Sequence, residues 1–505
     1  MTASRGSPSW RGDLLALLAG AVLPLAYAPA GLYPLALIAP ALLFRLLLDT
    51  RRNAWRGYLF GVGFFGVGVS WVAVSMYRFS GMGAVVSVLA TLLFVLFLAL
   101  FPALLGWAQR RFAARLAEPV QLLLFLPAAW VLLEWVRGWI FTGFPWLLLG
   151  YSQTDSPLRG LAPVLGVYGM SWAVAFSAGL LVLLWRGMGS AGKRRQLMAL
   201  ATFAGLWLSA GLLTRVEWSE PAGRPITASL IQGNVPQNLK WRADQRGRTI
   251  DLYTRLSREH WRDSDVVVWP ETALPAYYHQ AEQYLRSLAG EANGDGADLV
   301  LGLPVLTDPE AGRYFNSVVR VGKTPEFYYK SHLVPFGEYI PLKRALGGLL
   351  DLLHVPMADF SRWEGKQALL DVAGHKAGVS ICYEDAFGEE VIRGLPKAEL
   401  LINVSNDAWF GDSLAPHQHL QMARLRAMET ARPMLRATNN GVSALIDHHG
   451  RLLATSPQFQ VFVLRGQVQA RRGATPYVLT GNTPVLLFLL AAFVTTAVLR
   501  RRQAQ

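Results

Sequence analysis

The chain has one cysteine in 505 residues, Cys382, so no intrachain disulfide can hold any part of it together. Charge is scarce as well, 16% of the residues in all, and acidic groups are the scarcer kind, with 34 Asp and Glu against 48 Lys and Arg. There is no internal repeat and no low-complexity tract. No Walker or dinucleotide-type glycine fingerprint stands where a strand, a loop and a helix would support it, which removes the common nucleotide-binding classes. His417, His419, His448 and His449 offer imidazoles with no companion cluster of ligands beside them in sequence. Neither a metal nor any other cofactor is therefore expected.

Hydrophobic residues, in contrast, make up 52% of the chain, and the excess lies in residues 1–215 and in a final segment near 484–499. Candidate membrane spans fall at about 13–29, 31–48, 57–78, 83–107, 120–137, 164–185, 197–214 and 483–499, which predicts about eight transmembrane helices. The first two are short and contain proline. Basic residues cluster at Arg51, Arg52 and Arg56, at Arg110, Arg111 and Arg115, at Lys193, Arg194 and Arg195, and at Arg500, Arg501 and Arg502. These are alternate connections and the C-terminus, so both termini are expected in the cytoplasm and the segment after residue 216 outside. The net charge of +14 is thus a topology signal, and nucleic acid is not an expected partner. Arg5 and Arg11 before an apolar run ending Ala26-Tyr27-Ala28 also resemble a secretory signal. Pro29 after that point makes a poor cleavage site, so an uncleaved first span is expected. Within the spans, Glu134 and Arg137 stand three apart on one helix and are expected to pair, with a lipid headgroup as the alternative.

Residues 216–482 have ordinary globular composition. Short apolar runs, Ile226–Ile231, Val266–Trp269, Leu299–Leu303, Asn316–Val321, Phe327–Tyr329, Gly378–Cys382, Leu400–Val404 and Val442–Ile446, alternate with helical stretches at 243–261 and 416–432. That pattern predicts a layered α/β domain. The organisation expected is a membrane domain over 1–215, an extramembrane domain over 216–482, and a last helix with a basic tail over 483–505. An amphipathic helix is expected from Gln418 to Glu429, and Asn439-Asn440-Gly441 has the residues of a turn.

Three strand ends carry reactive groups. Val266–Trp269 runs into Pro270 and Glu271, Phe327–Tyr329 into Lys330, and Gly378–Ile381 into Cys382. If neighbouring parallel strands carry them, they meet at one rim of the sheet. Each has a plain alternative: Cys382 as a small buried hydrophobe, Glu271 as a loop carboxylate, Lys330 as a solvated strand end. As a set they form a coherent acyl-transfer machine. A thiol with a reference pKa of about 8.5 needs a cation or a base to become a nucleophile. Lys330 supplies the charge, Glu271 the base, and Lys330 with the N–H after Cys382 can meet a tetrahedral oxyanion.

Trp269-Pro270-Glu271, the segment Tyr328–Tyr339 and Gly378–Asp385, in that order, resemble the Glu-Lys-Cys signature of the nitrilase superfamily. With Gln232–Gln237, Lys240-Trp241, Val404–Gly411 and the surrounding spans, the whole chain resembles the apolipoprotein N-acyltransferase family. That resemblance implies an αββα sandwich between membrane spans, in a bacterial inner membrane with the catalytic domain periplasmic. It implies a phospholipid donor, typically phosphatidylethanolamine, that acylates Cys382, and a diacylglyceryl apolipoprotein whose α-amine takes the chain from the thioester. Glu271 is then the general base, Lys330 the oxyanion cation and Glu338 a supporting carboxylate. Tyr383, Glu384 and Asn406 stand as supporting residues, and Trp241, Trp409 and Phe410 as lining residues near a lipid entrance. A membrane-anchored amidase shares the trio and is the alternative enzyme, although one anchor would serve it. A transporter or receptor is the non-enzyme alternative, but the charges in the spans lie mainly at their edges.

Overall fold

In a computed structural model the chain is described over residues 9–49, 51–79, 83–186, 193–308, 310, 312–335, 337–339 and 360–502, so Arg5 and Phe336 lie outside the described residues. It divides into two compact units, residues 1–73, 84–216 and 480–505 in one, 74–83 and 217–479 in the other.

The first unit is helical. Among the described residues five helices are long and apolar enough to cross a membrane: Gly83–Ala113, Glu118–Arg137, Pro157–Arg186, Lys193–Leu213 and Thr483–Arg502. A sixth span arises if Asn53–Gly68 and Trp71–Phe79, bent by 54° at their junction, count as one. The expected count of about eight is therefore not reached among the described helices. Ser9–Val22 and Leu35–Leu48 have 14 residues each, roughly 21 Å of helix against a hydrocarbon core of about 30 Å. The expected run 57–78 is broken by the bend. Glu134 and Arg137 are both buried and tied to the loop that follows their helix. Glu134 Oε1 accepts from Trp130 Nε1 at 3.0 Å and from the Leu149 N–H at 2.8 Å. Arg137 Nη1 donates to the carbonyls of Phe144 and Trp146 at 2.8 and 2.6 Å.

The second unit is built on two six-stranded sheets. One has the order β13-β2-β3-β4-β5-β6, from Phe462–Val468, Ile226–Gln232, Val266–Val268, Asp298–Asp308, Arg313–Val321 and Glu326–Tyr329. The other has the order β12-β11-β10-β9-β8-β7, from Leu452–Thr455, Ala444–Ile446, Met434–Thr438, Leu400–Ser405, His375–Ile381 and Leu370–Val372. A short pair, β1 (Ser219–Pro221) with β14 (Arg471–Gly473), closes the domain's two ends together. Strands β2, β3 and β4 are mutually parallel, as are β8, β9 and β10, with antiparallel strands at the flanks.

Period-two alternation puts opposite residues of each strand into different cores. Val266, Val268, Ile402, Val404, Leu435 and Ala437 meet in the core between the sheets. Val267 points the other way, against α1 (Ala243–Arg258) and α2 (Tyr278–Gly294). Leu401 and Met434 likewise face α3 (Leu414–Thr430). Helix α1 buries Thr249, Tyr253 and Leu256, and α2 buries Tyr278, Ala281, Leu285, Leu288 and Ala292, both at helical spacing. Helix α3 departs from the expected amphipathic pattern, since Gln418, His419, Arg426 and Glu429 are buried along with its apolar face. Two sheets packed face to face with helices outside them give the αββα sandwich.

Candidate active site

Each reactive group leaves a strand at its C-terminal end, but the strands are not neighbours in one sheet. Glu271 follows β3 and Lys330 follows β6, with β4 and β5 between them, while Cys382 follows β8 in the other sheet. Strand β6 runs antiparallel to β5, which runs antiparallel to β4, so β3 and β6 point the same way and deliver both groups to one rim. The gap is bridged from β5. Asn316 Nδ2 donates to Glu271 Oε1 at 2.7 Å and to Glu338 Oε1 at 3.1 Å, and its carbonyl accepts the Lys330 N–H at 2.8 Å.

Lys330 is 1% exposed, and its Nζ lies 2.8 Å from Glu338 Oε1 and 3.4 Å from Glu271 Oε1. Burial opposes its charge, but Glu338, Glu271 and Cys382 together hold the ammonium well above the usual lysine range. Glu338 is fixed in turn by the Val334 N–H at 2.8 Å. Strand β4 passes so near that a Cβ on Gly302 would stand 2.7 Å from both Glu271 Cα and the Pro270 carbonyl oxygen.

Cys382 begins a 3-10 turn, Cys382–Ala386, with a left-handed backbone at φ 51°. A residue other than glycine held there is strained, and the sharp turn lifts its side chain off the strand end. The residue is partly exposed. Burial and the Glu271 charge push the thiol well above its ordinary pKa, with Lys330 pulling the other way.

Glu384 joins this turn to the lysine loop. Its Oε1 accepts from the N–H groups of Ser331 and His332 at 2.7 and 3.1 Å, and its Oε2 from the Ile381 N–H at 2.8 Å and Tyr328 Oη at 2.9 Å. Tyr383 is buried, its ring 5.1 Å from that of Phe387. Asn406 donates to Gln237 Oε1 at 2.7 Å and accepts from Asn439 at 3.1 Å. Trp409 and Phe410 are half-buried, with Trp409 5.0 Å from the Phe79 ring, and Trp241 is exposed.

Several groups beside the trio went unassigned in the sequence. Asn316 is one, a polar residue opening an apolar strand. Lys240 is another, buried with its Nζ 3.1 Å from the Glu271 carbonyl, where burial lowers its pKa to about 8 against the pull of Glu271 and Cys382. Three of the histidines expected to lack companions, His419, His448 and His449, acquire them from distant segments. Ligating atoms of Glu217, His448 and His449 lie within 4.8 Å of one another, as do those of Cys382, Asp407 and His419.

Residues 227–477, which carry Glu271, Lys330 and Cys382 at strand ends of the sandwich, match the family described as carbon-nitrogen hydrolase. Residues 19–180 match the apolipoprotein N-acyltransferase N-terminal domain. The chain is 48% identical to the apolipoprotein N-acyltransferase of Methylococcus capsulatus, covering 97% of this chain and 96% of that one. It is 45% identical to that of Nitrosomonas europaea, covering 92% of each, and 40% identical to that of Vibrio cholerae, covering 97% and 98%. Among solved structures, an amidase of Nesterenkonia AN1 from the nitrilase superfamily aligns with 52% of this chain and 97% of its own, at 18% identity and a TM-score of 0.38. The chain belongs to the apolipoprotein N-acyltransferase family.

Proposed function

We propose that this membrane protein moves a fatty acyl chain from a phospholipid, through a thioester on Cys382, to the α-amine of a diacylglyceryl-cysteine that begins an apolipoprotein. The observation that carries the reading is the charge arrangement at the thiol. The Glu271 carboxylate disfavours the thiolate and Lys330 favours it. Moving the thiol proton to Glu271 removes the repulsion and leaves the lysine as the nucleophile's partner. The sulfur then attacks the ester carbonyl of phosphatidylethanolamine, and Lys330 with the Tyr383 N–H stabilises the oxyanion. The C–O bond breaks, Glu271 returns the proton to the departing lysophospholipid oxygen, and the thioester remains. In the second half Glu271 takes a proton from the attacking amine, the C–S bond breaks, and the thiol is restored as the amide forms.

Glu338 and Asn316 hold Lys330 and Glu271 in place, Glu384 holds the two loops together, and Tyr383 and Asn406 support the turns beside the thiol. Trp241, Trp409 and Phe410 line the approach of the acyl chain, which favours lateral delivery because each exposed CH₂ costs about 0.8 kcal/mol in water. We place seven spans before residue 216 and one after 482, with Ser9–Val22, extended by the 3-10 turn Leu23–Ala26, and Leu35–Leu48 as thin first crossings. The protein is assigned to a bacterial inner membrane with the domain periplasmic and both termini cytoplasmic, on the placement of the basic clusters. An amidase role is not favoured, since the family match extends through residues 19–180.

Intact mass spectrometry after incubation with phosphatidylethanolamine, beside Cys382→Ser, tests the reading. A fatty-acyl increment that hydroxylamine removes, and that passes to a diacylglyceryl-peptide amine, supports it. No increment on the wild type, with hydrolysis of a small amide instead, would sink it.

A further inference from the structure

His419, on α3, faces three other elements of the domain. Its Nε2 lies 2.9 Å from Asp385 Oδ1 and 3.2 Å from the Cys382 carbonyl oxygen, and its Nδ1 lies 3.1 Å from Asp407 Oδ1. Arg436, on β10, donates from Nη1 to Asp385 Oδ2 at 3.2 Å and from Nη2 to Asp407 Oδ2 at 3.3 Å. All four side chains are at most 2% exposed. Two buried carboxylates shared between an arginine and an imidazole balance only if the imidazole carries a proton on each nitrogen. Every ring-nitrogen partner named here is an acceptor, which demands the same state.

We propose that His419 is a positioning residue for the nucleophile: as an imidazolium clamped between Asp385 and Asp407, it donates to the Cys382 carbonyl and fixes the left-handed turn from which the thiol projects. A strained backbone persists only where its surroundings over-determine it. The same carbonyl receives a second, longer contact from Asn403 Nδ2 at 3.4 Å, and Arg436 Nη1 holds Asn403 Oδ1 at 2.6 Å. Both donors on that carbonyl are therefore anchored in one charge cluster. Burial and Arg436 work against the imidazolium, and the two aspartates overcome them, raising its pKa to about 9. The role rests on Cys382 as the acylated nucleophile.

The lone cysteine makes the test direct, because any thiol adduct on the chain, one that Cys382→Ser abolishes, is an adduct on Cys382. Wild type, His419→Ala and His419→Gln are followed by intact mass at pH 7.5, first with iodoacetamide and then in single turnover with phosphatidylethanolamine at varied concentration. Both variants are expected to react at least tenfold and threefold more slowly, respectively, while still reaching one adduct per chain. The donor concentration for half-maximal rate should stay unchanged. Glutamine recovers part of the rate because its amide can donate to the Cys382 carbonyl, but it leaves Asp407 without that donor. Wild-type or faster rates in folded variants overturn the proposal, as does a reduced amplitude whose reactive fraction keeps the wild-type rate. Should His419→Ala lose its cooperative thermal transition, His419→Gln decides alone. A wild type that alkylates but accepts no acyl chain defeats the transferase reading, while the alkylation rates still judge the clamp.

Discussion

Glu384 Oε1 accepts the backbone N–H of Ser331 at 2.7 Å, which ties the residue after Lys330 to the turn that begins with Cys382. Lys330 and Cys382 come from different sheets, so their separation depends on such a cross-link. Glu384→Gln keeps the shape but turns one acceptor oxygen into a donor facing N–H groups. An unsatisfied buried donor costs about 1–3 kcal/mol. The apparent Tm in detergent should fall and single-turnover acylation should slow by more than tenfold; an unchanged rate would remove Glu384 from the site.

Lys330→Met removes a cation that faces Glu271, Glu338 and the Cys382 thiol. Because Lys330, with the Ser405 hydroxyl, pulls the thiol pKa down, the variant's thiol should be harder to ionise. Its acylation rate should drop by roughly 10²–10³. Alkylation by iodoacetamide, followed by intact mass, should slow in the same direction.

A methyl group on Gly302 would stand 2.7 Å from Glu271 Cα. Gly302→Ala should displace Glu271, with an overpacking cost of about 1–3 kcal/mol and, if Glu271 is the base proposed above, a rate loss of roughly a hundredfold for an ångström-scale shift. Gly290 on α2 has nothing within 4 Å of its would-be Cβ, so Gly290→Ala should keep full activity and gain slightly in Tm. Equal activity in the two variants would show that β4 does not set the position of Glu271.

Stability should carry the signature of His419. Its folded pKa of about 9 lies above the unfolded 6.5, so its contribution is fully present below pH 6.5 and is lost as pH rises through 9. The full difference is roughly 3 kcal/mol at about 1.4 kcal/mol per pH unit. The Tm gap between wild type and His419→Gln should therefore be wide at pH 6 and narrow at pH 9.5. Lys240 works with the opposite sign, since its folded pKa of about 8 lies below 10.5. Its burial costs stability below pH 8, and that cost is relieved toward pH 10.5, so Lys240→Met should flatten the alkaline rise.

Much of the sandwich was visible as short apolar runs. The runs at 226, 266, 299, 316, 327, 378, 400 and 442 all contain strands. Strand β10, Met434–Thr438, was missed because Arg436 interrupts its apolar pattern. That arginine is buried there by Asp385 and Asp407, which no local window contains. The flanking strands β12 and β13 were missed for a simpler reason: they are largely exposed and lack a continuous hydrophobic side. Helix α3 looked amphipathic because its polar residues are ionic, yet they are buried in pairs such as Arg426 with Glu429 at 2.9 Å.

By itself the sequence determined which parts of this protein are greasy, where its chain alternates strand with helix, and that a single thiol stands at a strand end. These follow from side-chain chemistry and spacing along the chain. Only the tertiary structure decided that Glu271 and Lys330 are bridged by Asn316 across two intervening strands, and that Cys382 follows a strand of the opposing sheet. It alone brought His419, held with Arg436 by Asp385 and Asp407, to the Cys382 carbonyl. Such groups are far apart in sequence, and buried charges find their partners only when the sheets close and water leaves.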